Sequence, residues 1–251
     1  MSCFLGKKIW LVGASEGIGE EVAKSFAAST AQLCISARSQ DKIQAIVNSL
    51  PGAGHVALPL DVTVEESVRK VWKELSSRWG GVDIVIYNAG VYDPLSAKDF
   101  DLAKTERMVD VNFLGALRVL DCVVPSMVAR RSGHIVLVAS VAAYRGLPRA
   151  LGYGASKAAL LHLAENMKID LADCNIKVQV VSPGFVKTRL TDKNTFKMPF
   201  IITPELAAKR IIEGMASNRF DINFPKRFTY ILKTMRILPY WLYFRLVGMI
   251  G

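Results

Sequence analysis

The stretch Lys8-Ile-Trp-Leu-Val12-Gly13-Ala-Ser-Glu-Gly17-Ile-Gly19 decides the fold of this 251-residue chain. Its first five residues are an apolar run of strand length, and three glycines follow at a GxxxGxG spacing. The next residues show a helical pattern of apolar side chains. In a strand, glycine-rich turn and helix of this kind, backbone N–H groups and the helix N-terminus bind a pyrophosphate. Glycine is needed because a Cβ would obstruct the phosphates or the packing of the helix on the strand.

Strand-like apolar runs recur along the chain and are separated mostly by segments of helix length. The alternation predicts one α/β domain, with a parallel sheet covered by helices on both faces. The chain is long enough for one such domain to bury a substantial core. The runs are 8–12, 32–37, 55–60, 82–87, 134–139, 176–182 and 221–224.

A second informative stretch is Tyr153-Gly-Ala-Ser-Lys157. Residues i and i+4 of a helix lie on one face, so the ammonium group can sit beside the phenol. A free tyrosine has a pKa of about 10, and a nearby positive charge favours its phenolate form. Ser140 follows the apolar run 135–139, at the end of a predicted strand. Its hydroxyl can there bind a substrate oxygen while Tyr153 exchanges a proton with that oxygen. The alternative is a surface tyrosine and lysine on an amphipathic helix.

Taken together, the motifs of this chain resemble those of the short-chain dehydrogenase/reductase family, in its main branch of enzymes of about this length. The resemblance covers residues 5–225. It implies a Rossmann-type, doubly wound parallel sheet of seven strands in the order 3-2-1-4-5-6-7. The matching motifs, in chain order, are Gly13-x3-Gly17-Ile-Gly19, Asp61-Val62, Asn88-Ala89-Gly90, Asn112, Ser140, Tyr153-x3-Lys157 and Pro183-Gly184-Phe-Val186-Lys-Thr188.

The resemblance implies reversible hydride transfer between a nicotinamide and a carbonyl carbon. Tyr153 would exchange the proton and Ser140 would position the substrate oxygen. Lys157 would lower the pKa of Tyr153 and bind the nicotinamide ribose, and Asn112 would hold a water molecule of the proton relay. The alternative is a non-catalytic NADP-sensing or scaffold protein of the same fold. Such proteins usually lose a member of this set, and here all four are present.

The resemblance also assigns the dinucleotide contacts. The glycine turn would hold the pyrophosphate through Gly13, Ser15, Gly17, Ile18 and Gly19. Asp61 and Val62 would border the adenine, and Asn88, Ala89 and Gly90 would let the backbone approach the cofactor. Pro183 and Gly184 would border the nicotinamide, with Val186 and Thr188 on its carboxamide.

The end of the second strand predicts the choice between NADP(H) and NAD(H). An NAD site places an acidic residue there to bind the ribose hydroxyls, whereas this chain has Ala37 followed by Arg38. The guanidinium can bind a 2′-phosphate, so NADP(H) is the expected cofactor and NAD(H) the alternative. Glu16 is a departure, because some NADP-using relatives carry a basic residue at that position.

The substrate pocket is expected after Ser140, at Phe185 and under the loop 189–202. A lipophilic ketone, aldehyde, β-ketoacyl thioester, retinoid or steroid would suit an apolar lid, although the same side chains can simply pack the loop onto the domain. The expected pocket residues are Ala142, Ala143, Tyr144, Leu147 and Phe185, and those of the lid are Phe196, Met198, Phe200, Ile201 and Ile202.

The predicted domain is residues 1–224, and residues 225–251 form a C-terminal extension. The extension holds five Lys/Arg and no acidic residue, and therefore half of the formal net charge of +10. Apolar residues recur in it at helical spacing as far as Pro239, where an aromatic second piece begins. It can lie on a membrane surface, or pack on the domain or at a subunit interface. Nucleic-acid binding is not expected, because no reading motif accompanies the charge.

The remaining features of the sequence concern disulfide and metal sites, export, location and assembly. The four scattered cysteines and three histidines predict neither a disulfide framework nor a metal site. The N-terminus lacks a secretory pattern, and no run of 18 apolar residues is present. We expect a cytoplasmic protein, with contact at a membrane surface as an alternative. The resemblance also implies a homodimer or homotetramer formed through the helices predicted at 101–130 and 152–173.

Overall fold

The computed structural model describes residues 2–29 and 31–249. Met1 and Thr30 of the predicted domain, and Ile250 and Gly251 of the predicted extension, lie outside the described residues.

Seven strands form one parallel sheet in the order β3-β2-β1-β4-β5-β6-β7. This confirms the predicted fold class and strand order. The predicted boundaries differ most at β4, where Val82 is buried but precedes the strand. There Asp83 Oδ2 accepts a 2.9 Å hydrogen bond from the Lys8 amide, so the side chain takes the place of a ladder bond. The strands are β1 (Lys8–Val12), β2 (Gln32–Ala37), β3 (Val56–Pro59), β4 (Ile84–Tyr87), β5 (Gly133–Val138), β6 (Ile176–Pro183) and β7 (Asp221–Phe224).

Helices cover both faces of the sheet, as the alternating pattern predicts. Side chains of β1 alternate between two cores: Ile9 and Leu11 pack with α1, α2 and α7, while Trp10 packs with α3, α5 and α6. Strands buried on both faces are continuous apolar runs, which is why the runs were visible in the sequence. The helices are α1 (Gly17–Ala27), α2 (Gln40–Ser49), α3 (Glu65–Trp79), α4 (Leu102–Val109), α5 (Gly115–Arg130), α6 (Leu151–Asp170), α7 (Pro204–Met215), α8 (Lys226–Arg236) and α9 (Tyr240–Gly248).

A π-helical turn at Asp110–Leu114 joins α4 and α5 into one continuous helix, Leu102–Arg130. Among the described residues it is the one helix long and apolar enough to cross a membrane, by length and composition alone. Charged residues such as Arg118 and Asp121 interrupt its sequence. It packs against α3 and α6, so within this fold it serves as a helix of the domain.

The two C-terminal helices meet at Pro239, where the sequence predicts a break. They pack on the domain through one face, which includes the buried Leu232 and Tyr243. The guanidinium of Arg145 holds the corner between them, since Nη1 donates to the carbonyl oxygens of Met235 at 2.6 Å and Leu238 at 2.8 Å. The division of the chain at residue 224 stays a prediction.

Candidate active site

A cavity of about 1570 Å³ lies at the carboxyl ends of the strands. Doubly wound sheets bind their ligands at this edge. Drug-sized ligands occupy about 300–1,000 Å³, so this cavity has room for a larger molecule or for two ligands together. The turn after β1, the ends of β2 to β6, the loop 189–202 and both C-terminal helices contribute to its wall.

The glycine turn between β1 and α1 forms one end of the cavity. Gly13 has φ +87°, and a Cβ there would lie 2.4 Å from the Ala89 backbone. The side chain of Asn88 donates a hydrogen bond to the Gly13 carbonyl and fixes the turn. α1 begins at Gly17, and its N-cap residue makes no side-chain capping bond. Uncapped backbone N–H groups at a helix N-terminus suit a pyrophosphate.

Gly19 is the one predicted member of the glycine turn that does not line the cavity. A Cβ at this position would lie 2.4 Å from the Gly13 carbonyl oxygen and 2.7 Å from the Ala14 Cα. Its role in this structure is to let α1 pack closely on the turn, which the spacing alone does not separate from direct ligand contact.

Basic side chains gather at the end of β2. Arg38 is exposed beside the cavity, and Lys42 and Arg189 line the same region. The Lys42 ammonium lies 3.0 Å from Glu16 Oε2, and Arg189 lies 3.8 Å from the same oxygen. The negative charge of Glu16 is therefore offset locally. The sequence reasoning missed Lys42 and Arg189; the position of Lys42 four residues after Arg38 was the available signal for the first.

Asp61 follows β3 and is close enough to Arg38 for the two charges to interact. Burial raises the pKa of its carboxyl group, but hydrogen bonds from Thr63 and the charges of Arg38 and Arg118 outweigh burial, so the net pKa is lowered. Asp61 Oδ1 accepts bonds from the Thr63 amide at 2.9 Å and hydroxyl at 2.7 Å. The carboxylate thus shapes the turn where Asp61 and Val62 enter the cavity wall.

Ser140, Tyr153 and Lys157 line the cavity together. Ser140 lies two residues after the end of β5, and its Oγ accepts a 3.1 Å hydrogen bond from the Ala142 amide. Burial raises the pKa of Tyr153 to about 12, although a hydrogen bond with Ser140 lowers it in part. Burial outweighs the groups that favour the phenolate here, so the expectation that Lys157 lowers the pKa of Tyr153 stays a prediction.

The surroundings of Lys157 weaken its effect on the pKa of Tyr153 in this structure. Its Nζ donates a 2.8 Å hydrogen bond to the Val138 carbonyl and lies 5.9 Å from the centre of the Tyr153 ring. Burial lowers the pKa of the ammonium group to about 7. A lysine that is partly neutral at neutral pH and is bonded to the backbone stabilises the phenolate less than a fully charged neighbour would.

Asn112 occupies the π-helical turn and is fully buried. Its Oδ1 accepts from the Val91 amide at 2.7 Å, and its Nδ2 donates to the Val91 carbonyl at 3.0 Å and to Ser156 Oγ at 2.9 Å. Asn112 does not line the cavity. In this structure its side chain ties the segment after β4 to the helix that carries Tyr153.

Tyr92 is a site residue that the sequence reasoning missed. Its ring meets that of Tyr153 edge to face at 5.0 Å, and its hydroxyl donates to Asn194 Oδ1 at 2.9 Å. Lys193 Nζ binds the neighbouring Asp93 Oδ1 at 2.6 Å. The loop 189–202 is therefore tied to the segment after β4. The position of Tyr92 two residues after Gly90 was the available signal.

The predicted substrate residues divide in the structure. Ala142, Leu147 and Phe185 line the cavity. Ala143 and Tyr144 do not, because the 3₁₀ turn after Ser140 directs Tyr144 away, and its hydroxyl donates to Asp221 Oδ2 at 3.0 Å. In the predicted lid, Phe196 lines the cavity together with Lys197 and Pro199, whereas Met198, Phe200, Ile201 and Ile202 do not.

The C-terminal extension contributes a part of the wall that the sequence did not predict. Its contact with the cavity depends on the docking of α8 and α9, which no local pattern specifies. The lining residues from these helices are Phe228, Ile231, Leu232, Met235 and Val247. Among the described residues no group of His, Cys, Asp or Glu is arranged to hold a metal ion.

Comparison with known proteins supports the resemblance. The model of the short chain dehydrogenase family matches residues 7–198. An oxidoreductase of Myxococcus xanthus described as uncharacterized is 32% identical over 231 residues, which cover 91% of each chain. An uncharacterized oxidoreductase of Staphylococcus aureus is 31% identical, covering 76% of this chain and 83% of its own.

Solved structures agree with these relatives. A short-chain type dehydrogenase/reductase from Mycobacterium marinum has a TM-score of 0.78 at 29% identity, covering 88% of this chain and 93% of its own. An alcohol dehydrogenase from Thermococcus sibiricus, complexed with 5-hydroxy-NADP, has a TM-score of 0.79 at 26% identity, covering 87% and 95%. The chain therefore belongs to the short-chain dehydrogenase family, whose fold binds NAD(P), and is an oxidoreductase acting on CH–OH groups.

Proposed function

We propose that this protein is an NADP(H)-dependent oxidoreductase that interconverts a lipophilic ketone or aldehyde and its alcohol. The observation that carries the proposal is one continuous cavity. It begins at the uncapped N-terminus of α1 and ends where Ser140, Tyr153 and Lys157 meet. A dinucleotide laid along it would place its nicotinamide beside the two hydroxyls, where it would supply or accept the hydride.

The side chains then divide the remaining work. Ser140 holds the substrate oxygen by a hydrogen bond and stabilises the charge that develops on it. A phenol with a pKa raised to about 12 keeps its proton at neutral pH. This is the form that can protonate an alkoxide as it develops during reduction. Asn112 positions α6, and with it Tyr153, through the bond to Ser156.

The preference for NADP(H) rests on charge at the end of β2. Ala37 carries no carboxylate that would repel a 2′-phosphate, and Arg38 and Lys42 border the place where one would lie. Lys42 and Arg189 also offset Glu16, the residue that departs from the NADP pattern. A phosphate held by charge-assisted bonds is bound more strongly than a hydroxyl in the same place.

A lipophilic substrate is supported by three aromatic side chains that line the same cavity as Tyr153. The Phe185 ring lies 5.7 Å from that of Phe196 and 5.6 Å from that of Phe228, between centroids. Phe185 is held next to Gly184, which the family pattern places beside the nicotinamide. An apolar acyl, alkyl or ring group bound there would bury surface against all three rings.

We further propose that the protein is cytoplasmic and forms a homodimer or homotetramer through α5 and α6. All four cysteines are free, in keeping with a reducing compartment. α5 and α6 each carry apolar side chains that are only partly covered in one chain, including Leu117 and Val124 on α5 and Leu163 and Met167 on α6.

The decisive experiment follows NADPH oxidation by absorbance across aldehydes, ketones and β-ketoacyl thioesters of increasing chain length. The wild type should turn over the more lipophilic members, and Tyr153→Phe should retain no more than a few per cent of that rate while still binding NADPH. The matched control is Tyr144→Phe, which removes a phenolic hydroxyl outside the cavity. NADPH binding without turnover of any compound would contradict the proposal and favour a non-catalytic, NADP-sensing protein.

A further inference from the structure

The outward side of α8 and α9 is unusually apolar for a solvent-facing surface. Ile237 is 81% exposed, Tyr240 71%, Trp241 69% and Phe244 63%. On a helix that packs on a domain, the apolar stripe normally faces inward and polar residues face outward. Here the inward position of α9 is taken by Tyr243, so aromatic side chains occupy both sides. The rings of Tyr240 and Phe244 stack with centroids 5.7 Å apart, and an exposed apolar cluster of this kind marks an interaction site.

Basic side chains accompany this surface. Arg227, Arg236 and Arg245 are exposed, and none of them forms a salt bridge within the part of the chain that the structure describes. The other two basic residues of the extension are engaged: Lys226 binds Asn223 Oδ1 at 3.1 Å, and Lys233 binds Asp221 at 2.6 Å. We call the exposed residues 236, 237, 240, 241, 244 and 245, at the corner and on α9, the basic-aromatic surface.

This surface is held in a defined orientation. The Arg145 guanidinium bonds the carbonyl groups at the α8–α9 corner and lies 3.9 Å from the Tyr243 ring centre and 4.7 Å from that of Tyr240. The buried Tyr243 hydroxyl donates to the Gly146 carbonyl. These contacts fix the corner to the domain. The exposure of the apolar side chains on its outer side is therefore a feature of a well-packed structure and does not result from loose packing.

Charge distinguishes between the two occupants that such a surface could take. In a two-fold interface the same patch meets itself, so a patch with Arg236 and Arg245 and without an acidic partner would bring like charges together. A bilayer with anionic headgroups complements those charges. Its interfacial region also accommodates Trp, Tyr and the aliphatic stems of Arg, with each polar end in water.

The surface adjoins the cavity. Ile231 is 52% exposed and also lines the cavity, so it stands at the rim between them. Met235 and Val247 continue the cavity wall from the same two helices. A lipophilic molecule that leaves a bilayer at this surface would reach the cavity across apolar side chains.

We propose that the basic-aromatic surface docks on an anionic lipid bilayer and that substrate enters the cavity from the bilayer past Ile231. The second part rests on the proposed function, whereas the first does not. Binding is electrostatic and apolar in origin, so it requires anionic lipid and weakens with added salt.

Vesicle co-sedimentation of the full-length protein tests the docking. Recovery with phosphatidylcholine vesicles containing phosphatidylglycerol should exceed recovery with phosphatidylcholine alone, and salt should reduce it. Each basic residue near an anionic surface strengthens binding about fivefold. Arg236→Glu/Arg245→Glu should therefore lower the partition coefficient by at least about tenfold. Trp241→Ser/Phe244→Ser should lower it through lost apolar burial.

Matched controls separate this surface from general charge and hydrophobicity. Lys70→Glu/Lys73→Glu makes the same charge change on exposed positions of α3, and Leu5→Ser/Phe100→Ser removes exposed apolar side chains elsewhere. Both should partition like the wild type. Equal losses in test and control variants, or wild type that stays in the supernatant with anionic vesicles, would overturn the docking.

The entry route is tested by kinetics. With a long-chain ketone carried in anionic vesicles, Trp241→Ser/Phe244→Ser should reduce kcat/KM in proportion to its lost binding, while kcat/KM for a short water-soluble ketone stays unchanged. Equal reduction for both ketones would overturn the route. Wild-type protein that binds vesicles but turns over neither ketone would refute the proposed function and leave the docking intact.

Discussion

Lys157 is a buried side chain whose protonation changes strongly on folding. Burial lowers its pKa to about 7, whereas an unfolded lysine has a pKa of about 10.4. Between these values the unfolded chain binds a proton that the folded chain releases, so the free energy of unfolding rises with pH. The unfavourable effect of burial is fully present below pH 7 and is relieved as the pH increases toward 10.

This gives a prediction for stability. From about pH 7 to about pH 9 the contribution of Lys157 should rise by up to about 1.4 kcal/mol per pH unit. The measurement is urea unfolding of wild type and Lys157→Met across that range. Other titrating groups are common to both proteins, so the difference between their slopes isolates Lys157. Parallel pH profiles would show that the ammonium group keeps its ordinary pKa in the folded chain.

Arg38 and Lys42 give a second prediction at the level of single side chains. Arg38→Ala/Lys42→Ala should lower kcat/KM for NADPH, because a 2′-phosphate would lose two cationic partners, and should leave kcat/KM for NADH little changed. Loss of two charge-assisted bonds of about 1.5–3 kcal/mol each corresponds to at least about a hundredfold fall in the NADPH:NADH ratio. Arg78→Ala/Lys73→Ala on α3 is the control. A wild type that prefers NADH, with a ratio unaffected by the double substitution, would contradict the cofactor assignment.

Among the elements, the long helix Leu102–Arg130 packs so closely on its neighbours that one position in it requires glycine. α5 begins at Gly115, directly after the π-helical turn that carries Asn112. A Cβ on Gly115 would lie 2.4 Å from the Tyr87 hydroxyl and 2.8 Å from Val62 Cγ2. Glycine at this point lets the helix approach β4 while the Tyr87 hydroxyl donates to the Val111 carbonyl.

Gly115→Ala should therefore destabilise the protein by about 1–3 kcal/mol, because the added methyl group overpacks a filled core. Denaturant unfolding measures the effect. Gly248→Ala is the matched control: this glycine also lies in a helix, and a Cβ there meets nothing within 4 Å. It should be neutral or stabilising by up to about 1 kcal/mol. An unchanged midpoint for Gly115→Ala would mean that α5 shifts without cost.

The elements also show what the sequence could predict. The fold class followed from β1, its glycine turn and the alternation of apolar runs with segments of helix length, because buried parallel strands are visible as apolar runs. The strand order came from the resemblance that the motifs carry. Pro239 predicted the break between α8 and α9 through the geometry of its ring. These features depend on neighbours along the chain.

The features that were missed depend on residues far apart in the chain. Tyr144 leaves the cavity because Asp221 accepts its hydroxyl, and Lys157 turns to Val138 because burial favours a backbone acceptor. The π-helical turn at Asn112 has no signal in its composition. The wall formed by α8 required the whole fold. Tertiary contacts, rather than local propensity, settled each of these cases.

In the whole molecule, the two ends of the chain meet at one site. Val12 at the end of β1 and Val247 of α9 line the same cavity. The extension is thus part of the cavity wall, and deleting it would open the cavity as well as remove the basic-aromatic surface. Point substitutions on its outward side separate the two roles.

Assembly is the property of the whole molecule that remains a prediction. The exposed Val128 on α5 and Ala155 on α6 lie on helices whose apolar side chains are incompletely covered in one chain. A two-fold axis would bury these helices against their symmetry mates.

We therefore predict that light scattering of the active protein at micromolar concentration gives a mass of at least twice 27.6 kDa. Val128→Glu should shift the mass toward that of one chain, because a carboxylate buried against its symmetry mate is costly. Val64→Glu, an exposed valine before α3, is the control and should leave the mass unchanged. The interface would hold the helix bearing Tyr153 and Lys157. Val128→Glu should therefore also lose activity when it is diluted until its subunits separate. An active wild type of 27.6 kDa would show that one chain holds that helix in place unaided.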